Sequence, residues 1–196
     1  MKKLAVLILV LAMLTGCGTY EEGRQANTND PLLEQEGEQQ EETGWDDLAQ
    51  PIDLSDIGLE VGSKPPAFNL ETLDGQLFDS KLIEGKKVII NYWATWCTPC
   101  RIEMPDMAQL AREYPDDLAV VAINLKEDEE QVAQFVEELG IQHVHILLDR
   151  TGELAEAFQI LALPTSYFLN SDGTIGHKHI GFMNYDQMKE IYQQLN

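Results

Sequence analysis

A chain of 196 residues with 44% apolar content can bury one sizeable core, and this composition excludes wholesale disorder. Its 34 Asp and Glu against 13 Lys and Arg give a net charge of −21, which phosphate would repel, so a nucleic-acid binder is excluded. Three cysteines are too few to frame a disulfide-rich miniprotein.

The chain opens on Met1-Lys2-Lys3, followed by an unbroken apolar run from Leu4 to Leu14. At about 1.5 Å per residue this run reaches roughly 16 Å, half of a hydrocarbon core, so it reads as the apolar stretch of a secretory leader. Leu14-Thr15-Gly16-Cys17 then resembles the lipobox of bacterial lipoproteins. The resemblance implies that residues 1–16 are a cleaved signal peptide and that Cys17 takes a diacylglycerol. The protein would then be lipid-anchored at the extracytoplasmic face of the cell membrane. An ordinary cleavage site next to an unrelated cysteine is the alternative. Cleavage removes two lysines and no acid, which moves the net charge to −23. Cys97 and Cys100 are then the remaining thiols, in a compartment where thiols are not kept reduced by default.

Residues 17–60 are expected to form an acidic, disordered tether. From Gly18 to Gln50 there are ten acids, one Arg and five Gln, with no apolar residue repeating at a helical or strand period. Residues 51–60 are transitional. As a flexible coil, the roughly 43 residues from Gly18 to Glu60 would reach roughly 35–40 Å, a plain spacer between lipid and domain.

Residues 61–196 carry the globular pattern. Ala67–Leu73 and Gln76–Asp79 flank Asp74-Gly75, which predicts a hairpin with a two-residue turn. Lys87–Ala94, β-branched and aromatic, predicts a buried central strand. Thr98–Tyr114 is predicted helical with Pro105 inside it, and Leu118–Leu125 is a second buried strand. Asp128 can cap a helix whose Val132, Phe135, Val136 and Leu139 share one face, ended by Gly140. His143–Leu148 reads as a strand and Glu153–Phe158 as a short helix. Thr165–Asn170 and Thr174–Ile180 predict a hairpin around Asp172-Gly173, and Asn184 caps a last helix bearing Met188, Ile191, Tyr192 and Leu195. The order β-β-β-α-β-α-β-α-β-β-α predicts an α/β fold, a mixed sheet with flanking helices.

The chemistry is concentrated in Trp96-Cys97-Thr98-Pro99-Cys100. Two cysteines three apart, where a buried strand meets a helix, share one face of the first turn. Free N–H groups and partial positive charge there favour a thiolate, which makes Cys97 the candidate nucleophile. Cys100, one turn in, is placed to attack a mixed disulfide on Cys97. Pro99 is tolerated because a first-turn N–H has no helical acceptor to lose. Half of a zinc site is the competing reading, but a closed site needs four ligands. His143/His145 and His177/His179, each spaced to share a strand face, read as solvated faces, so no metal is expected.

The stretch Asn91-Tyr92-Trp93-Ala94-Thr95-Trp96-Cys97-Thr98-Pro99-Cys100 resembles the thioredoxin superfamily, in particular its TlpA/ResA-like membrane-anchored thiol-disulfide oxidoreductases. The resemblance covers roughly residues 62–195. Leu163-Pro164-Thr165 looks like the family's cis-proline, which lies against the active-site disulfide and helps bind the substrate strand. Val61–Phe78 looks like the subfamily's N-terminal β-hairpin extension, and Leu147–Phe158 like its short helical insertion before the cis-proline strand. Trp96, Pro99, Pro164 and Thr165 are accordingly candidate substrate-binding or supporting residues.

Thioredoxin itself has a buried Asp six residues before its first active-site cysteine; here that position is Asn91, which cannot titrate. The TlpA/ResA-like proteins have instead a Glu three residues after the second cysteine, and Glu103 occupies that place. Cys97, Cys100 and Glu103 fall at i, i+3 and i+6, on the helix face expected to look toward the sheet. A carboxyl buried there has its pKa raised by desolvation and can exchange a proton with Cys100.

The resemblance implies a thioredoxin-like fold and an extracytoplasmic thiol-disulfide oxidoreductase working through a Cys97–Cys100 disulfide, with no cofactor or metal. It would act as a monomer that reduces protein disulfides, such as the C-x-x-C-H site of apocytochrome c. Electrons would come from a membrane thiol carrier of the CcdA/DsbD kind. Rival readings are a disulfide-forming oxidant on the same fold, a copper-binding factor resembling the SCO proteins, and a peroxiredoxin-type peroxidase. The SCO spacing is C-x-x-x-C, one residue longer than here. The peroxiredoxin motif expects Pro seven residues before the cysteine, where this chain has Ile90.

Overall fold

The computed structural model describes residues 56–196. The expected leader, Cys17 and the tether as far as residue 55 lie outside the described residues. Among the described residues no helix is long and apolar enough to cross a membrane.

The run of β-branched and aromatic residues at Lys87–Trp93 forms β3, buried from Val88 onward. A strand buried on both faces must lie inside a sheet. It pairs in parallel with β4 (Leu118–Leu125), which pairs in parallel with β5 (His145–Asp149). On its other side β3 meets β6 (Thr165–Leu169) antiparallel, and β6 pairs with β7 (Ile175–Ile180). The predicted N-terminal hairpin, β1 (Asn69–Thr72) with β2 (Leu77–Asp79), adds antiparallel to the free edge of β5. The seven-stranded order is therefore β2-β1-β5-β4-β3-β6-β7.

Two local expectations are corrected. The Thr72 N–H donates to the Gln76 carbonyl at 2.8 Å, so three residues close the first hairpin rather than two. Gly75, at φ +77°, supplies the left-handed residue that such a loop needs at its last position. His143 takes φ +64° in the turn before β5, so it does not share a strand face with His145.

Alternation along the strands divides the core in two. Val88, Ile90, Tyr92, Val121, Ile123 and Leu147 point to one face, where Ala155 and Phe158 at the short helix α3 (Glu153–Ala157) cover them. Ile89, Trp93, Val120, Ala122, Ile146 and Leu148 point to the other face. There they meet α1 (Thr98–Glu113), α2 (Glu129–Glu138) and α4 (Tyr185–Gln194) through Met104, Met107, Val132, Phe135 and Met188. Pro105 stands inside α1, which continues unbroken to Glu113. The folded contacts reach back ahead of Val61: Ile57 bridges Lys64, and Leu59 packs on the core.

Candidate active site

Three elements end at one edge of the sheet. Strand β3 delivers the loop Ala94–Trp96 and then the first turn of α1. Because β6 runs antiparallel to β3, with Thr165 opposite Tyr92, its start lies beside the end of β3. Pro164 is therefore brought to the same end as Cys97, although 67 positions separate them in sequence. The Leu163–Pro164 peptide is cis. Pro164 is buried, its carbonyl accepts the Gly181 N–H at 2.8 Å, and Thr165 Oγ1 donates to the Ala162 carbonyl at 2.8 Å. Leu163 packs against the apolar cluster that includes both cysteines.

Cys97 and Cys100 are joined in a disulfide, with their Cα atoms 5.3 Å apart. Cys97 is the N-cap of α1, and its sulfur accepts the Cys100 N–H at 3.4 Å. Cys97 keeps 5% of its surface exposed and Cys100 none, so of the two only the first cysteine offers any surface to solvent. Trp96 beside it is 70% exposed, while Pro99 is half-buried in the first turn. The approach loop is tied down from β4. Half-buried Glu127 accepts the Thr95 N–H at 2.7 Å, the Thr95 hydroxyl, and Nδ2 of buried Asn124 at 2.6 Å.

One further turn along α1, Glu103 is fully buried. Its Oε1 accepts Nδ2 of Asn91 at 2.9 Å, and its Oε2 accepts the Met183 N–H at 3.1 Å. Burial raises its pKa from the ordinary 4.5 to about 7, with a smaller push from Asp106; the Met183 and Asn91 hydrogen bonds pull the other way. Desolvation wins because two donors do not replace the water shell of a carboxylate. A group that titrates near neutrality beside a dithiol is suited to carry a proton for it.

Residues 61–178 match the AhpC/TSA family. The chain is 39% identical over 151 residues to the thioredoxin-like protein YneN of Bacillus subtilis, covering 76% of this chain and 87% of that protein. It is 36% identical over 136 residues to the thiol-disulfide oxidoreductase ResA of Halalkalibacterium halodurans, covering 69% of this chain and 76% of that protein. The chain belongs to the ResA-like group of the thioredoxin superfamily. A solved thiol:disulfide interchange protein of Chlorobium tepidum superposes with a TM-score of 0.64 at 28% identity, over 71% of this chain and 99% of that one. The fold is thus thioredoxin-like, and the protein is a thiol-disulfide oxidoreductase.

Several residues around the site had no sequence signal. The partners of Glu103 come from β3 and from the loop after β7, at separations of 12 and 80 positions. Glu127, the first of four consecutive acids, is the anchor of Thr95. Large apolar side chains also stand exposed around this end of the sheet: Trp96, Leu161 at 95% exposure just ahead of Pro164, Ile180 opposite Thr165, and Phe182 next to Met183. His177 and His179 share a face of β7 with their rings 6.4 Å apart, and burial lowers the His177 pKa.

Proposed function

We propose that this protein is a lipid-anchored reductase of protein disulfides at the extracytoplasmic face of the cell membrane. Cys97, reduced, attacks a disulfide sulfur of the substrate and expels one substrate thiolate, forming a mixed disulfide. Cys100 gives its proton to the Glu103 carboxylate and attacks the Cys97 sulfur. That step restores the Cys97–Cys100 disulfide and frees the second substrate thiol, so two electrons have passed to the substrate. The observation that carries this reading is the buried Glu103, one turn past Cys100, with a pKa near 7. It gives the least accessible thiol a proton acceptor where water cannot reach.

The N-cap position of Cys97 and its residual exposure support it as the nucleophile. The exposed Trp96, Leu161 and Phe182 would flank an extended, apolar client segment lying along Pro164 and Thr165. The leader and Cys17 support the anchor, and residues 17–60 the tether. An apocytochrome c with an oxidised C-x-x-C-H site is the proposed client, and a membrane thiol carrier of the CcdA/DsbD kind the proposed electron source. The protein acts as a monomer and uses no cofactor. The test is Cys100→Ser expressed in cells and quenched with acid. Mixed disulfides should form through Cys97 with extracytoplasmic C-x-x-C-H proteins and disappear in Cys97→Ala/Cys100→Ser. Adducts confined to other cysteines would overturn the assignment.

A further inference from the structure

The pocket around Glu103 is built for the anion. Both carboxyl oxygens face donors, Asn91 Nδ2 on one side and the Met183 N–H on the other. Asn91 Nδ2 and the Met183 N–H can only donate, so the O–H of the protonated carboxyl finds an acceptor in neither, although the carboxyl titrates near neutrality. For either of these two partners to pair with that O–H, it has to present an acceptor instead. The Met183 N–H is backbone and can only donate. The Asn91 amide has a donor end and an acceptor end, and exchanging them is a half-turn of the side chain.

The rest of the amide's surroundings favour such a turn. Asn91 is fully buried, and its Nδ2 serves both Glu103 and the Ser166 hydroxyl, each at 2.9 Å. Its Oδ1 is buried with no hydrogen-bond partner. Asn91 and Ser166 are directly opposed on β3 and β6, so the register holds the hydroxyl in reach of either end of the amide. A hydroxyl reverses from acceptor to donor by rotating its hydrogen. After a half-turn Oδ1 would accept from the Glu103 carboxylic O–H and from Ser166, and Nδ2 would take the unpaired place. Each orientation leaves one end of the amide unpaired, so the carboxyl decides between them.

We propose that Asn91 is a positioning residue whose side-chain amide turns over with the protonation of Glu103, giving the buried carboxyl a partner in both states. The proposal rests on Glu103 being the proton-carrying group. The position that in thioredoxin holds the acid thus holds a two-way hydrogen-bonding group that serves an acid on the helix.

The other groups facing Glu103 do not replace this role. Helix α1 contributes Asp106, which pushes the Glu103 pKa up and is itself held by the Tyr185 N–H at 2.9 Å, and, in the reduced protein, the two thiols. Strand β6 contributes Ser166 and the β7–α4 loop Met183, neither ionisable in this range. On α4, Tyr185 and Lys189 engage Glu113, roughly 15 Å further along α1 by helical rise.

The test is NMR of the oxidised protein, in which neither thiol titrates. The Glu103 carboxyl carbon and the Asn91 side-chain amide are followed from pH 5 to 9. The amide nitrogen and its two protons should titrate with the carboxyl's midpoint, and the contacts from Nδ2H₂ to the Ser166 side chain should be present above the midpoint and lost below it. In Glu103→Gln the amide should be independent of pH. In Asn91→Leu the anion loses a charged hydrogen bond and the acid a weaker neutral one, so the Glu103 midpoint should move up by about one pH unit, the scale of that difference. A titrating Glu103 beside an amide whose contacts do not change with pH would overturn the turnover alone. A Glu103 that does not titrate in this range would instead overturn the proton-carrying role on which it rests.

Discussion

Replacing Glu103 by Gln removes a titration from the core, and its effect on stability can be worked out from the site. The carboxyl is buried, with its pKa raised from 4.5 to about 7. The folded state therefore binds this proton more tightly than the unfolded state does. Stability from this group is fully present below about pH 4.5 and is lost as pH rises through about 7. At about 1.4 kcal/mol per pH unit, the wild type should lose roughly 3 kcal/mol across that window. Glu103→Gln keeps the shape and lacks the titration, so its stability should not share that loss. Its amide also sets a donor against Asn91 or Met183, a cost nearly independent of pH. The informative quantity is therefore the difference between the two proteins as a function of pH. Urea unfolding of both oxidised proteins at intervals from pH 4 to 8 gives it, since every other group titrates alike in the pair. The wild type should lose ground to the variant by roughly 3 kcal/mol, most of it between pH 5 and 7. A difference that stays constant over the whole range would refute the claim that the core holds a displaced carboxyl.

Two further outcomes follow, one from the contacts of Glu127 and one from the proposed lipid anchor. Glu127→Ala leaves Thr95 and buried Asn124 without their acceptor, so it should cost on the order of 2 kcal/mol and slow exchange at Cys97 by loosening the loop that presents it. Denaturant titration and a disulfide-reduction assay check both, and unchanged stability would mean the loop is held by other contacts. Cys17→Ala should release the protein from membranes into the soluble fraction, because lipid contributing about 0.8 kcal/mol per buried CH₂ is the proposed anchor. A variant that still sediments after a salt wash would contradict the lipoprotein assignment.

Much of the architecture could be read from residue order, because it rests on local signals. The β-branched run of β3, the strand-to-helix junction at Cys97 and the spacing of Glu103 are each contained in a few consecutive positions. The face on which Glu103 lies follows from helical period alone, and α1 does turn it to the sheet. What could not be read depends on distant chain segments meeting. Asn91 finds Ser166, 75 positions away, through the antiparallel pairing of β3 and β6, and Met183 reaches Glu103 by the path of the loop after β7. Alternation also misled at His143, where a left-handed residue in the turn puts it outside the strand that its spacing from His145 had suggested. Glu127 lay hidden among Glu and Asp neighbours that share its type and differ only in what they touch.

Site-resolved alkylation of the reduced protein tests most directly the claim that exchange begins at Cys97 and is completed by Cys100. Cys97, at the helix N-terminus and the only one of the pair with any surface accessible, should be modified faster, with a lower pH midpoint. Cys100 should react slowly, with a pH dependence that changes in Glu103→Gln because the two groups titrate as a coupled pair. Equal alkylation rates at the two cysteines, with pH profiles unaltered by Glu103→Gln, would contradict the account.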